Sequence, residues 1–316
     1  MGKFIIKRIL TAIPTLFLAL TLVFFLMRAI PGDPIYAMIG PDQVDAETYE
    51  EVAERYGLAG NDFEQYINYL GKVFTGDWGY SFFMGKPVFD CIVERLEPTL
   101  LLSAMSLVIA VVLGIPLGVI GATHENSPLD YATSVTSIIF LCIPNFVLAL
   151  GLIYIFGFKL AWFPMSHYMY MKQYGFWQAV YSMILPAFAV GMTNVANVAR
   201  FTRTSMISVL QRDYIRTARA KGLTLGKVRY VHALKNSLGT VLTILSSALL
   251  GTLGGSIIVE TCFSIHGVGE MLNKGLSQRD YPLAQAALLV MTLLFIVINI
   301  LLDIGYKLID PRVELN

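Results

Sequence analysis

Apolar residues run along this chain in blocks rather than in stripes. Six blocks, at about 9–30, 99–121, 132–157, 180–200, 238–259 and 284–309, carry little charge. Each is close to or above the roughly 20 residues a helix needs to cross a hydrocarbon core about 30 Å thick. Such a block reads as a helix in lipid, because a helix satisfies every backbone N–H and C=O within one segment. Pro116, Pro144 and Pro186 fall inside three of the blocks. Kinks rather than breaks are expected there, since neighbouring helices re-satisfy the freed groups. The first block follows Lys3, Lys7 and Arg8, and no small-x-small cleavage site comes after it. It reads as a retained span rather than a signal peptide. The pattern predicts an all-α polytopic membrane protein with residues 1–316 as one transmembrane domain of six helices.

Two polar stretches interrupt the blocks. Residues 31–98 form an insertion with its own helical signals. "DAETYEEVAERYGL" places Ala46, Tyr49, Val52, Ala53 and Tyr56 near one face. "FEQYINYLGKVF" spaces Phe63, Tyr66, Ile67, Leu70 and Phe74 as a helix does, and "TGDWGYSF" reads as Gly-rich turn. Residues 201–237 contain "DYIRTARAKGLTLGKVRYVHALKNSL", which reads as helix, break, helix. Asp213 takes the helix-capping position, and Gly222 ends the first helix. The second helix starts at Lys227, with Val228, Val231, Leu234 and Leu238 largely on one side. Ala218 and Gly222, four apart, leave a small-residue face open to close approach.

Composition supports the membrane reading. A soluble domain would not need 56% apolar residues beside 14% charged ones. The formal net charge of +1 says nothing about partners, but its distribution orients the chain. Arg200, Arg203, Arg212, Arg216, Arg219, Lys221, Lys227, Arg229 and Lys235 crowd the 201–237 loop and its edge, whereas 31–98 is rich in acids. By the positive-inside rule that loop and both termini are cytoplasmic and the 31–98 insertion is external. The acids of the insertion read as a solvated face or as a docking surface for a soluble partner.

Candidate chemistry is sparse. Cys91, Cys142 and Cys262 are odd in number and not spaced as ligands, so neither a disulfide framework nor a zinc site is indicated, although a Cys91–Cys262 bond stays open. "GLTLGKV" lacks the spacing, the hydroxyl residue and the preceding strand of a phosphate-binding loop. No catalytic residues and no metal site are expected, and no nucleic-acid partner. An ATP-driven function would have to borrow its ATPase. Gly251, Gly254 and Gly255 permit close helix contact or line a gate, and Glu260 reads as an interfacial carboxylate or a pathway group. Asp303 within the last block pairs naturally with Lys307, four residues on. The His/Met cluster Met165–Met171 reads as membrane-surface packing or as a soft-metal stop. Intramembrane ionisable groups are too scarce, and the halves too dissimilar, to favour a stand-alone secondary transporter. A simple membrane anchor would leave the kinked spans unexplained.

"YIRTARAKG…HALKN" resembles the cytoplasmic loop of binding-protein-dependent ABC transporter permeases, in the version found in dipeptide, oligopeptide and nickel importers. The general signature of that family is Glu-Ala-Ala with Gly three residues later. Thr217, Ala218 and Arg219 stand in its place here, and Gly222 matches the Gly, which is the form of the peptide/nickel subfamily. "RILTAIPTLFLALTLVFFLMRAIPGDP", "GDWGYSF", "VIGATHENSPLDY", "ILPAFAVG", "ARFTRTSMISVL", "IVETCFSIHGVGEML", "RDYPLAQA" and "LIDPRVEL" extend the resemblance over nearly the whole chain. His266 stands where many relatives have Pro, and either loosens a turn or adds a titratable group. The resemblance implies a transport subunit, not an enzyme, in a bacterial or archaeal cytoplasmic membrane. It would form half of the path for di- or oligopeptides, with nickel or another small solute as the alternative. Asp213, Tyr214, Arg216, Thr217, Ala218, Arg219, Lys221 and Gly222 would couple it to the ATPase. The partners implied are a second homologous permease, two ATPase subunits using ATP and Mg, an external solute-binding protein and the lipid bilayer. No cofactor is bound by this chain itself.

Overall fold

A computed structural model describes residues 2–29, 32–33, 35–36, 45–56 and 58–309, apart from the side chains of 2–9, 46, 55, 240, 242, 249–250, 253, 255 and 302–309. Gly255, Asp303 and Lys307 of the sequence reading fall among these exceptions. The helices are α1 Gly2–Ala29, α2 Ala46–Tyr56, α3 Asp62–Thr75, α4 Val88–Thr123, α5 Pro128–Cys142, α6 Asn145–Leu152, α7 Met171–Tyr174, α8 Phe176–Leu210, α9 Asp213–Ala220, α10 Lys235–Cys262, α11 Val268–Ser277 and α12 Tyr281–Ile309. Two π-helical stretches, Ile153–Lys159 and Lys227–Leu234, continue α6 and lead into α10. A two-residue hairpin pairs β1 Tyr80–Ser81 with β2 Lys86–Pro87, where "GDWGYSF" had read as turn alone.

Among the described residues, four helices are long and apolar enough to cross a membrane: Leu10–Ala29, Val88–Thr123, Phe176–Leu210 and Tyr281–Leu301. A fifth is the bent pair Pro128–Cys142 and Asn145–Lys159, which turns by 99°. The expected block 238–259 lies in α10, several of whose side chains are outside the description. The block 132–157 is thus not a kinked helix but a broken one. Pro144 has no N–H to give, and it pushes Ile143 into extended backbone at φ −80°, ψ 119°. Pro116 and Pro186 lie within helices of 36 and 35 residues that continue through them.

The chain divides into two compact units. The first comprises Met1–Thr99 and His266–Val297. In it, α3 opens with a capping box: the Asn61 side chain accepts from Glu64 N–H at 2.9 Å, and the Glu64 carboxylate accepts from Asn61 N–H at 3.1 Å. Gly76 closes the helix with φ +79°. The face that packs is Gln65, Tyr66 and Tyr69. The hydroxyls of Tyr66 and Thr21 lie 2.7 Å apart, Phe24 meets both tyrosine rings, and the Arg28 guanidinium donates to Gln65. Of the helically spaced Phe63, Tyr66, Ile67, Leu70 and Phe74, Tyr66 is on this face and Leu70 is half-buried, whereas Phe63 is 70% and Phe74 76% exposed, and Ile67 is also exposed. Gln65 and Tyr66 pack there with polar partners in Arg28 and Thr21, while Tyr69 contributes its ring against Phe24.

Asp280, fully buried, ties two distant segments of this unit together. One carboxylate oxygen accepts from Ser81 Oγ at 2.5 Å and from Phe83 N–H at 3.1 Å, and the other accepts from Leu283 N–H at 3.2 Å at the start of α12. Nearby, buried Glu270 lies 2.5 Å from Lys274 and 3.6 Å from His266, with Arg95 at 4.0 Å. His266 thus stands beside a buried carboxylate.

The second unit comprises Leu100–Ile265 and Ile298–Asn316. Its centre is α8, against which α4, α5, α6 and α10 pack. Gly114 and Gly118 let α4 and α8 nearly touch: a Cβ at Gly118 would lie 2.5 Å from the Ala199 carbonyl oxygen. Met165, Tyr168 and Met171 belong to the packing of this unit. Met165 lies against Gly157, Tyr168 is in the core, and Met171 rests on that core. Cys91, Cys142 and Cys262 are all free thiols.

Burial pushes the Asp280 carboxyl above the ordinary aspartate range despite its hydrogen bonds, so a neutral isostere is the milder change. Asp280→Ala orphans Ser81 and two backbone N–H groups and is expected to cost about 3 kcal/mol. The melting temperature of the purified protein should fall by several degrees, and Asp280→Asn should fall less. Equal melting of all three proteins would contradict this role for Asp280.

Candidate coupling surface and intramembrane cleft

The helix α9 is short, strongly two-sided and fixed at both ends. Ile215 and Ala218 are buried with Met206, Val209, Val119 and Val228 in one apolar cluster. Asp213, Tyr214, Arg216, Thr217, Arg219, Lys221 and Gly222 are exposed. Arg212, not Asp213, is the cap residue, with extended backbone and no side-chain bond to the helix. Asp213 sits in the first turn instead, where its charge still suits the helix N-terminus, and faces Arg216 at 3.7 Å. That exposed pair contributes little stability.

Gly222 has φ +79°. Its N–H donates to Arg219 C=O at 2.9 Å, and Leu223 N–H donates to Ala218 C=O at 3.4 Å. These two bonds form a Schellman motif, completed by Leu223 packing on the cluster that holds Ala218. No atom lies within 4 Å of where a Cβ at Gly222 would be, so the glycine serves backbone conformation rather than internal close packing. The small-residue face expected from Ala218 and Gly222 is not one surface: Ala218, 7% exposed, faces inward.

Beyond the turn, the π stretch resets the phase of the next helix. Val228, Ala233 and Ser237 are buried and Leu234 packs on the same cluster, whereas Val231 is exposed, so the expected Val228/Val231/Leu234/Leu238 face is packed only in part. Bonding from i to i+5 widens the turn, so residues five apart come to share a side.

The base of this region is stapled by an ion pair. Arg203 in α8 donates from Nε and Nη2 to the two oxygens of Asp130, the latter at 2.7 Å, and Asp130 is buried. Asp130 also accepts from Asn126 N–H at 3.0 Å. A planar guanidinium meeting both carboxylate oxygens fixes orientation as well as distance. Arg203 read only as loop charge in the sequence, and Asp130 did not stand out. The one hint was that "SPLDY" and "ARFTR" both belong to the quoted motifs.

A separate cleft of about 350 Å³ lies where α6, α8 and α10 converge. Asn145, Thr193, Asn194, Asn197, Ser247 and Gly251 line it together with the apolar Val190, Phe201, Ile244 and Ala248, and no lining side chain is ionisable. Thr193 Oγ1 donates to Asn145 Oδ1 at 2.9 Å, and Asn194 Nδ2 donates to Thr252 Oγ1 at 2.8 Å. Thr193 and Asn194 stand midway along α8, and Ser247 midway along α10. Polar side chains at that depth cost several kcal/mol when they face hydrocarbon without partners. Of the candidate pathway residues, Gly251 reaches this cleft. A Cβ at Gly254 would meet nothing within 4 Å, Gly255 is among the exceptions above, and Glu260 is fully buried.

Residues 114–315 match the family described as the binding-protein-dependent transport system inner membrane component, and residues 1–103 match its N-terminal companion. The chain belongs to this family. The oligopeptide transport system permease protein AppB of Bacillus subtilis (strain 168) is 38% identical over 316 residues, covering 99% of this chain and all of that protein. The glutathione transport system permease protein GsiC of Escherichia coli (strain K12) is 37% identical over 314 residues, 99% of each chain. A chain of the MetNI methionine ABC transporter, solved in inward-facing conformations, shares the fold with a TM-score of 0.58 at 17% identity. The match covers 70% of this chain and 97% of that one. The protein is accordingly a multi-pass inner-membrane permease subunit of an ABC importer, and ATP hydrolysis belongs to a separate subunit.

For this permease, the Asp130–Arg203 staple carries a testable expectation. Truncating Arg203 leaves a buried carboxylate unpaired, which costs about 3 kcal/mol. Arg203→Ala should insert into membranes but lose transport activity and thermal stability together, and Arg203→Lys should recover only part, since an ammonium lacks the planar fork that fixes both oxygens. Full activity and stability in both variants would remove the staple from the account.

Proposed function

We propose that this chain forms half of the path by which short peptides enter the cell, and that α9 receives the motion of an ATPase subunit. The observation that carries the reading is the build of α9. Its apolar side is anchored internally while Tyr214, Arg216, Thr217, Arg219 and Lys221 stand exposed. A helix held this way transmits a push on its outer face to α4 and α8 without first deforming. Peptide as solute is supported by the two relatives, whose names specify an oligopeptide and glutathione, itself a peptide.

The working assembly in this reading contains a second homologous permease, two ATPase subunits that use ATP and Mg, and an external solute-binding protein. The 201–237 loop and both termini face the cytoplasm, and residues 31–98 face outward, in keeping with the distribution of basic residues. The six blocks at about 9–30, 99–121, 132–157, 180–200, 238–259 and 284–309 are the spans, the third being broken at Pro144. Ala218 contributes from inside, by seating α9, rather than by touching the ATPase.

The left-handed backbone at Gly222 supplies the test. Gly222→Asp, co-expressed with the partner subunits, is expected to insert normally but to lose ATPase subunit retention or ATP-driven peptide uptake. Asn tolerates this backbone better than most residues, so Gly222→Asn should retain more of both. Normal uptake by Gly222→Asp would overturn the assignment of α9.

A further inference from the structure

The cleft between α6, α8 and α10 offers hydrogen bonds at mid-membrane and no charge. Two of its groups stand apart from the internal bonding. Among the described residues, Asn197 and Ser247 have no hydrogen-bond partner within the protein. Other hydroxyls in these helices turn back to a carbonyl four residues earlier, as Thr252 does to Ala248, whereas a carboxamide or hydroxyl without a partner at this depth is costly. Their partner therefore comes from the cleft itself: water at rest, and a solute in passage. The cleft's volume of about 350 Å³ lies in the range of small-molecule sites. Non-helical backbone at this depth is tolerated where it borders protein or a polar cavity, and the break at Pro144 delivers Asn145 to the same cleft.

We propose that this cleft is a station on the translocation path where backbone amides of a passing peptide are read by neutral carboxamides and hydroxyls. A carboxamide both donates and accepts, so it matches the N–H and C=O of a secondary amide. It makes no demand on the charge of the solute's side chains or termini. A path that accepts many side chains needs this property, and a ring of ionised groups would not supply it. Gly251 fits the role, since a side chain there would grow towards Asn194 Oδ1, 3.8 Å from the added Cβ.

The inference rests on peptide import, so the test separates the two. The complete importer, reconstituted with its ATPase and binding-protein partners, is given trialanine and the ester isostere in which one amide N–H is replaced by oxygen. In Asn197→Leu, uptake of trialanine should fall about tenfold, the worth of one well-made hydrogen bond to an amide. Uptake of the ester should fall less, and stimulation of ATP hydrolysis by the binding protein should persist. Because the binding protein is common to both permeases, its own preference cancels in the comparison. An equal fall for both solutes, or none, overturns the proposal while leaving peptide import standing. Failure of the wild-type complex to import trialanine overturns both. Should Asn197→Leu not assemble, Ser247→Cys with Cys142 and Cys262 replaced by Ser decides the matter. Labelling by a charged, water-soluble thiol reagent, slowed by trialanine during turnover, supports the station. Labelling only by a lipid-soluble maleimide refutes it.

Discussion

Hydrocarbon offers no partner to a backbone N–H or C=O, and most of this architecture is the response to that constraint. Long helices satisfy the backbone within themselves, which is why α4 and α8 run for 36 and 35 residues and continue through Pro116 and Pro186. The exception is Pro144, where the chain turns by 99°. Such a break is stable only beside other polar groups. It lies at the edge of a cleft whose lining includes three asparagines, a threonine and a serine. The break and the cleft account for each other: the cleft makes the irregular backbone tolerable, and the break brings Asn145 to the cleft.

A different solution serves the end of the second unit that carries α9. There the chain gathers charge, and its cohesion draws on the Asp130–Arg203 pair rather than on the exposed cations of α9. Ile215, Ala218 and Val228 seat the short helix, the Schellman turn at Gly222 reverses the chain, and Asp130 with Arg203 fixes the base. The exposed cations are then free to meet another protein, since none is needed to hold α9 in place. Rigidity below and charge above suit a surface that must move as one piece when pushed.

Much of this was legible in the sequence for identifiable reasons. Apolar blocks are long-range averages, and no single residue can hide them. Gly222 was legible because few residues adopt φ +79° at a helix end. The packed face of α3 was legible only at Tyr66, because Gln65 and Tyr69 fit the helical period beside it as well as Phe63, Ile67 and Phe74 do, and only contact with α1 separates them. The packed face before α10 was legible only in part, since the π stretch shifts the phase that a 3.6-residue period assumes. Asp280 with Ser81 and Asp130 with Arg203 join residues 199 and 73 positions apart, a pairing that no local pattern encodes. Those two carboxylates, like the asparagines of the cleft, were passed over by reading the chain alone.

On the proposed reading, α9 presents its Tyr214/Thr217/Lys221 side to an ATPase and keeps Ile215 and Ala218 for itself. Single cysteines at Tyr214, Ile215, Thr217, Ala218 and Lys221, in a chain otherwise free of cysteine and co-expressed with its partners, test this directly with a short bifunctional thiol reagent. Cross-links to the ATPase subunit are expected at Tyr214, Thr217 and Lys221 and should change with bound nucleotide, with none at Ile215 or Ala218. Cross-linking that is strongest at Ile215 and Ala218, or absent at all five positions in an assembled complex, would contradict it.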